Sequence, residues 1–172
     1  MVTNPKAMEL QEKGKVEYEW GTLWPHYHKE KINWATGFRT KGDVDILFLS
    51  GSTGRDPFED AQVITYEDEA SGKGKVVGGI REQTRQALMD IKNNLEMMGA
   101  SLKHIIMLRY YVRHPVDLFD FRDEMYRFYR EFEPELLENP RPATLLNGVG
   151  IALPDMRIEI EAWAAVPRKK NK

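Results

Sequence analysis

The chain has 172 residues, 41% hydrophobic and 30% charged, a normal balance for one globular domain and a poor one for chain-wide disorder. A net charge of -2 offers no long-range attraction to a polyanion, so nucleic acid is not an expected partner. There are no cysteines, which excludes disulfides, thiolate nucleophiles and sulfur-ligated zinc.

The first residues, Met1 to Lys6, lead into Glu9, Glu12 and Lys13 without an apolar signal core. No stretch approaches the ~18 apolar residues of a membrane span, so the expected location is the cytosol. Met8 to Lys13 suits a short helix. Tyr18, Trp20, Leu23, Trp24 and Tyr27 form an aromatic cluster without a clean period, and residues 1–30 are read as an N-terminal extension packed on a domain spanning 31–168. His26 and His28 have the spacing of two ligands on one strand face, but no third ligand stands nearby in sequence, and no metal is expected.

Ile32, Trp34, Thr36 and Phe38 alternate with Asn33, Ala35, Gly37 and Arg39, the period of a strand. Lys41-Gly42-Asp43 signals a turn, and Ile46 to Leu49 reads as a buried strand, so residues 31–51 are expected to make a hairpin. A polar, acidic stretch to Lys75 is expected to be solvated. Ile80, Thr84, Leu88, Ile91, Leu95 and Met98 recur at intervals of three and four, one face of a helix that Gly99 is placed to end. Ile105 to Val112 is a strand by its β-branched and aromatic content. After Pro115, Leu118, Phe121, Met125, Phe128 and Phe132 mark a second amphipathic helix. Thr144 to Ile151 and Arg157 to Val166 read as strands about the turn Leu153 to Met156, and residues 169–172 as a basic tail.

The fold class is therefore α+β, with a single mixed β-sheet and two helices packed on one face. In the last strand Ile158, Ile160 and Ala162 suit the helix face, and Glu159, Glu161 and Trp163 face the other way. In the middle strand Ile105, Met107, Arg109 and Tyr111 form the set opposite the helices. That second face is too apolar for water and too polar for a closed core, which points to a subunit interface with pockets in it.

The chain resembles the Rid (YjgF, L-PSP endoribonuclease-like, enamine/imine deaminase) superfamily. The resemblance rests on Phe48-Leu49-Ser50-Gly51, on Gln83 to Leu88 with Ile91, on Gly99-Ala100-Ser101-Leu102, on Ile158-Glu159-Ile160-Glu161-Ala162 and, more weakly, on Arg141-Pro142-Ala143-Thr144. Their order and spacing hold from about Ile32 to Val166. The resemblance implies a chorismate-mutase-like fold, a homotrimer, and clefts between subunits that bind a small carboxylate without a cofactor. It implies Glu159 as the group for proton transfer or water activation, with Ser50 and Gly51 contributing to the cleft. The family's carboxylate-anchoring arginine falls on Thr144 and its first-strand tyrosine on Trp34, so the chain looks like a divergent branch. Arg109, on the strand face expected to carry Glu159, and Arg141, just before Thr144, are the candidate replacements; Trp34 and Leu146 are expected to wall the cleft. The implied reaction is hydrolytic deamination of a reactive enamine or imine acid, with an aminomuconate-type intermediate as one substrate. The alternative is a non-catalytic module that binds a small carboxylate or a protein partner. An endoribonuclease, a third reading attached to parts of the family, suits the acidic balance poorly.

Overall fold

The computed structural model describes residues 20–23, 37–40, 42–55 and 78–168. Among these residues, seven strands and three α-helices follow in chain order: β1 (Trp20–Leu23), β2 (Gly37–Thr40), β3 (Val44–Phe48), β4 (Ser52–Thr53), α1 (Ile80–Met97), β5 (Ile105–Val112), α2 (Leu118–Phe132), α3 (Glu135–Glu138), β6 (Ala143–Asn147) and β7 (Ile158–Pro167). The main sheet has the order β3-β7-β5-β6, with β4 lying beyond β3 along the same edge of β7. It is mixed: β5 runs antiparallel to β7 and parallel to β6. The expected α+β architecture, with a mixed sheet and helices on one face, is what the chain forms.

The helix spacing explains the core. Ile80, Thr84, Leu88, Ile91 and Leu95 are all buried on one side of α1. Gly99 adopts φ +73°, and the amides of Gly99 and Ala100 return to the carbonyls of Glu96 and Leu95 at 3.0 and 2.8 Å, so the helix closes in a Schellman turn. At the other end the Glu82 carboxylate accepts the Gly79 amide proton at 2.9 Å. In α2, Phe121, Met125 and Phe128 face the same core, against Leu108, Val112, Ile158 and Ile160 of the sheet.

Three expectations need correction. Among the described residues of 31–51 the hairpin does not form, residues 31–36 and 41 lying outside them: β2 pairs with β1, in a separate two-stranded ribbon, whereas β3 pairs with β7. Alternation identifies a strand but carries no information about its partner, and the Gly42 turn serves only to part the two sheets. The last two strands do not meet about their connecting turn, because β5 lies between β6 and β7. Gly148, at φ +78°, ends β6 well before Ile151. Finally, Ile105 belongs to the helix face, opposite Ala164 and fully buried. A register shift between Ile105 and Met107 inserts one residue, so alternation counted from Ile105 comes out on the wrong side.

Candidate functional site

β7 carries the site because its alternation is strict. Ile158, Ile160 and Ala162 are fully buried under the helices, while Glu159, Glu161 and Trp163 are half-buried on the opposite face. The register then fixes the neighbours. Glu159 stands between Thr53 of β4 and Tyr111 of β5. One step along, Glu161 stands beside Arg109, which in turn stands beside Thr144 of β6. Leu146 pairs with Tyr111 in the same row as Glu159. Glu159, Arg109, Thr144 and Leu146 are thus brought onto one face of the sheet, as expected.

Gly51 completes this face. It lies in the break between β3 and β4, where the edge of β7 is briefly unpaired except for the Leu49 amide donating to the Ala162 carbonyl at 3.0 Å. A Cβ on Gly51 would stand 2.0 Å from Oε1 of Glu159 and 2.8 Å from its Cδ. Only a glycine lets the backbone lie flat against that carboxylate. Ser50, next to it, is exposed.

The electrostatics separate the two glutamates. Burial, followed by the like charge of Glu161, pushes the Glu159 carboxyl above its ordinary 4.5. Glu161 instead accepts a hydrogen bond from Nη1 of Arg109 at 3.4 Å, and the Arg109 guanidinium lies 5.2 Å from the centre of the Trp163 ring. The arrangement places a carboxyl that holds its proton more tightly than usual at a diagonal step, ~7–8 Å, from a half-exposed cation. Such a pair can orient an anionic molecule over an acid–base group.

Arg141 does not reach this face. It is buried on the helix side, where its guanidinium donates to the backbone carbonyls of Ile105 at 2.7 Å, Lys103 at 3.0 Å and Asn139. It ties the loop before β6 to the start of β5, because three carbonyls at loop ends need a donor that water cannot supply. Trp34, His26 and His28 lie outside the described residues. Tyr111, Thr53, Glu161 and Trp163 are site neighbours that residue-by-residue reading did not single out, although the alternation of β5 and β7 already put Tyr111, Glu161 and Trp163 on the right face. Among the described residues, no three His, Asp or Glu side chains gather closely enough to hold a metal ion. No described helix is long and apolar enough to cross a membrane.

A family model described as Endoribonuclease L-PSP matches residues 39–166. The chain belongs to this family, within the Rid superfamily. Among curated proteins, the RutC family protein PH0854 of Pyrococcus horikoshii is 38% identical over 92 residues, 53% of this chain and 67% of that one. The Rid-family protein YyfB of Yersinia pestis matches with a TM-score of 0.63 at 21% identity, covering 87% of this chain and all of its own. Escherichia coli TdcF, solved with bound serine, matches with a TM-score of 0.53 at 18% identity, over 87% of this chain and 96% of its own. At these identities the structural likeness is one of fold. The family match spans β3 to β7 and with them Gly51, Arg109, Thr144, Leu146 and Glu159; β1 lies before it.

Proposed function

We propose that this Rid-family protein hydrolyses a reactive enamine or imine acid and releases ammonia, in a cleft completed by a second copy within a homotrimer. The observation that carries the reading is the Glu159 carboxyl, half-buried, flattened against Gly51 and held above its ordinary pKa beside Glu161. A protonated Glu159 gives its proton to the enamine carbon, and the nitrogen lone pair closes the C=N bond of the imine. The resulting carboxylate takes a proton from water as the water oxygen attacks the imine carbon, the one doubly bonded to nitrogen, and the C=N π electrons return to nitrogen. Return of the proton to nitrogen lets the C–N bond break as the hydroxyl proton passes back to Glu159, leaving ammonia and a 2-oxo acid. Nothing in this sequence requires a cofactor.

Arg109 is the proposed anchor for the substrate carboxylate, exchanging its Glu161 partner for the ligand. An ion pair this exposed holds its members loosely, at ~0–1 kcal/mol, so the exchange is cheap. Thr144, adjacent to Arg109, offers only a hydroxyl. Because Arg109 sits a strand away from Thr144, the carboxylate is held farther along the sheet than in the family's own arrangement, which favours a longer acid of the aminomuconate type over a three-carbon one. Leu146 supplies the apolar wall of this reading. TdcF, with its bound serine, is a relative in fold that takes a small carboxylate.

The other reading is a non-catalytic carboxylate-binding module. The Arg109–Glu161 pair favours it, since that arginine already has a partner. Ammonia release from a three-carbon and a six-carbon enamine acid, by wild type and by Arg109→Ala, separates the two. The deaminase reading expects turnover of the longer acid that is lost in Arg109→Ala. Fast turnover of the short acid that survives the substitution contradicts the anchor, and no turnover of either favours the binding module.

A further inference from the structure

The same two strands that carry Arg109 and Thr144 on one face enclose a cavity on the other. Its floor is made by Leu108 and Tyr110 of β5, and its roof by Phe121, Met125 and Tyr129 of α2. Its mouth opens under the edge strand β6, between Ala143, the partly exposed Leu145 and the side chain of Arg122. The volume is about 370 Å³. A space of this size beneath an otherwise close-packed helix–sheet layer is large for a packing defect and falls in the range of small-molecule sites.

Two polar features are built into this apolar space. The phenolic oxygens of Tyr110 and Tyr129 are 3.2 Å apart, and both side chains are buried. Burial pushes the Tyr129 hydroxyl up to about 12 and raises Tyr110 well above its ordinary value, so both are neutral donors. One hydroxyl proton satisfies the other oxygen; the second has no acceptor among the described residues. The other feature is Arg122. Its guanidinium touches the Tyr126 hydroxyl at 3.4 Å and, among the described residues, pairs with no carboxylate. Three other arginines of these helices do pair: Arg81 with Asp120 and Asp123, Arg85 with Glu124 and Glu131, and Arg127 with Asp123. Arg130 at the exposed end of α2, like Arg122, pairs with no carboxylate among the described residues, but Arg122 alone of the two lines the cavity.

From this geometry we infer a second ligand site, on the face opposite Glu159, for a monocarboxylic acid with an apolar body about the size of an aryl ring and a short chain. The body fills the space between Leu108, Met125 and Leu145, and the carboxylate sits at the mouth against Arg122. The free hydroxyl of the tyrosine pair can donate to an oxygen on the far end of the ring. The occupant is a small molecule because the space is a pocket rather than an extended groove, with its charged group at the opening and its hydroxyl pair inside, where floor meets roof.

The probe is 3-phenylpropionate, with the neutral 3-phenylpropanol as control, titrated to millimolar concentration into protein carrying labelled methionine methyls. Met125 reports the cavity, and Met107, on the opposite sheet face, reports the Glu159 side. The site predicts a saturable shift of Met125 with Met107 still, weakened at least about tenfold in Arg122→Gln, as loss of a charge-assisted hydrogen bond implies. It also predicts abolition of the shift in Ala143→Phe, which fills the mouth from an exposed edge position. Glu159→Gln should leave binding unchanged. No saturable shift of Met125, a shift of Met107 in its place, binding that survives Ala143→Phe, or equal binding of the alcohol would each overturn the proposal.

Discussion

At the scale of single residues, the contact between Gly51 and Glu159 is the most exposed to test. The atoms a new Cβ would strike are the far end of a flexible side chain, so Gly51→Ala costs little in folding and instead swings the carboxylate away. Displacements near 1 Å lower rates by about 100-fold. The expected outcome is a melting temperature close to wild type with turnover reduced by roughly two orders of magnitude; a variant equally active would remove Glu159 from the chemistry in its present position. The raised pKa of Glu159 has its own consequence for stability. A carboxyl with a higher pKa folded than unfolded binds more protons in the native state between those two values. Stability therefore falls as pH rises from the unfolded carboxylate value through the raised folded one, and the loss persists above it. Glu159→Gln should flatten that part of the curve, read by thermal unfolding across pH.

At the scale of elements, buried hydrogen bonds outweigh the more visible ion pairs. Gln83 on α1 is buried and holds the entrance to β7: its Nε2 donates to the Asp155 carbonyl at 3.0 Å, and its Oε1 accepts the Arg157 amide at 2.8 Å. A Cβ on Gly54 would fall 2.3 Å from Cγ of the same glutamine, so β4 packs tightly onto it. Gln83 thus sets β4 and the start of β7, the strand that carries Glu159. Gln83→Leu removes the side-chain partner of three backbone groups, the Gly78 and Asp155 carbonyls and the Arg157 amide, and should cost about 2–4 kcal/mol in urea denaturation. Arg81→Gln breaks two exposed ion pairs at 2.6 and 2.7 Å and should be close to neutral. The sequence already showed the helices, since their period of three to four and the Gly99 stop are local signals. It also showed which face of β7 bears Glu159, since alternation there is uninterrupted. It could not show that β2 turns away to β1, or that an extra residue near Ile106 shifts β5, because pairing and bulges are set by partners distant in the chain. Arg141 was misplaced for the same reason: its neighbours in sequence suggest the cleft, whereas its hydrogen bonds lie with carbonyls near residue 104.

At the scale of the whole molecule, the sheet face opposite the helices carries Phe48, 68% exposed, stacked edge-on against Trp163 at 5.3 Å, with Ile46 and Leu146 also exposed. An apolar surface of this kind, rimmed by Arg109 and Glu161, is characteristic of an interface. The proposed trimer would cover it, and light scattering at micromolar concentration should give three times the chain's 20.0 kDa; a monomer would leave the cleft without its second wall. If Glu159 moves protons during deamination, Glu159→Gln should stop turnover, since the swap keeps the shape and removes the ionisable proton. The measurement is ammonia release from a six-carbon enamine acid by wild type and variant, both confirmed as the same oligomer. The expected loss is about 100- to 10,000-fold. Turnover within about threefold of wild type, less than ~0.7 kcal/mol of barrier, would contradict it.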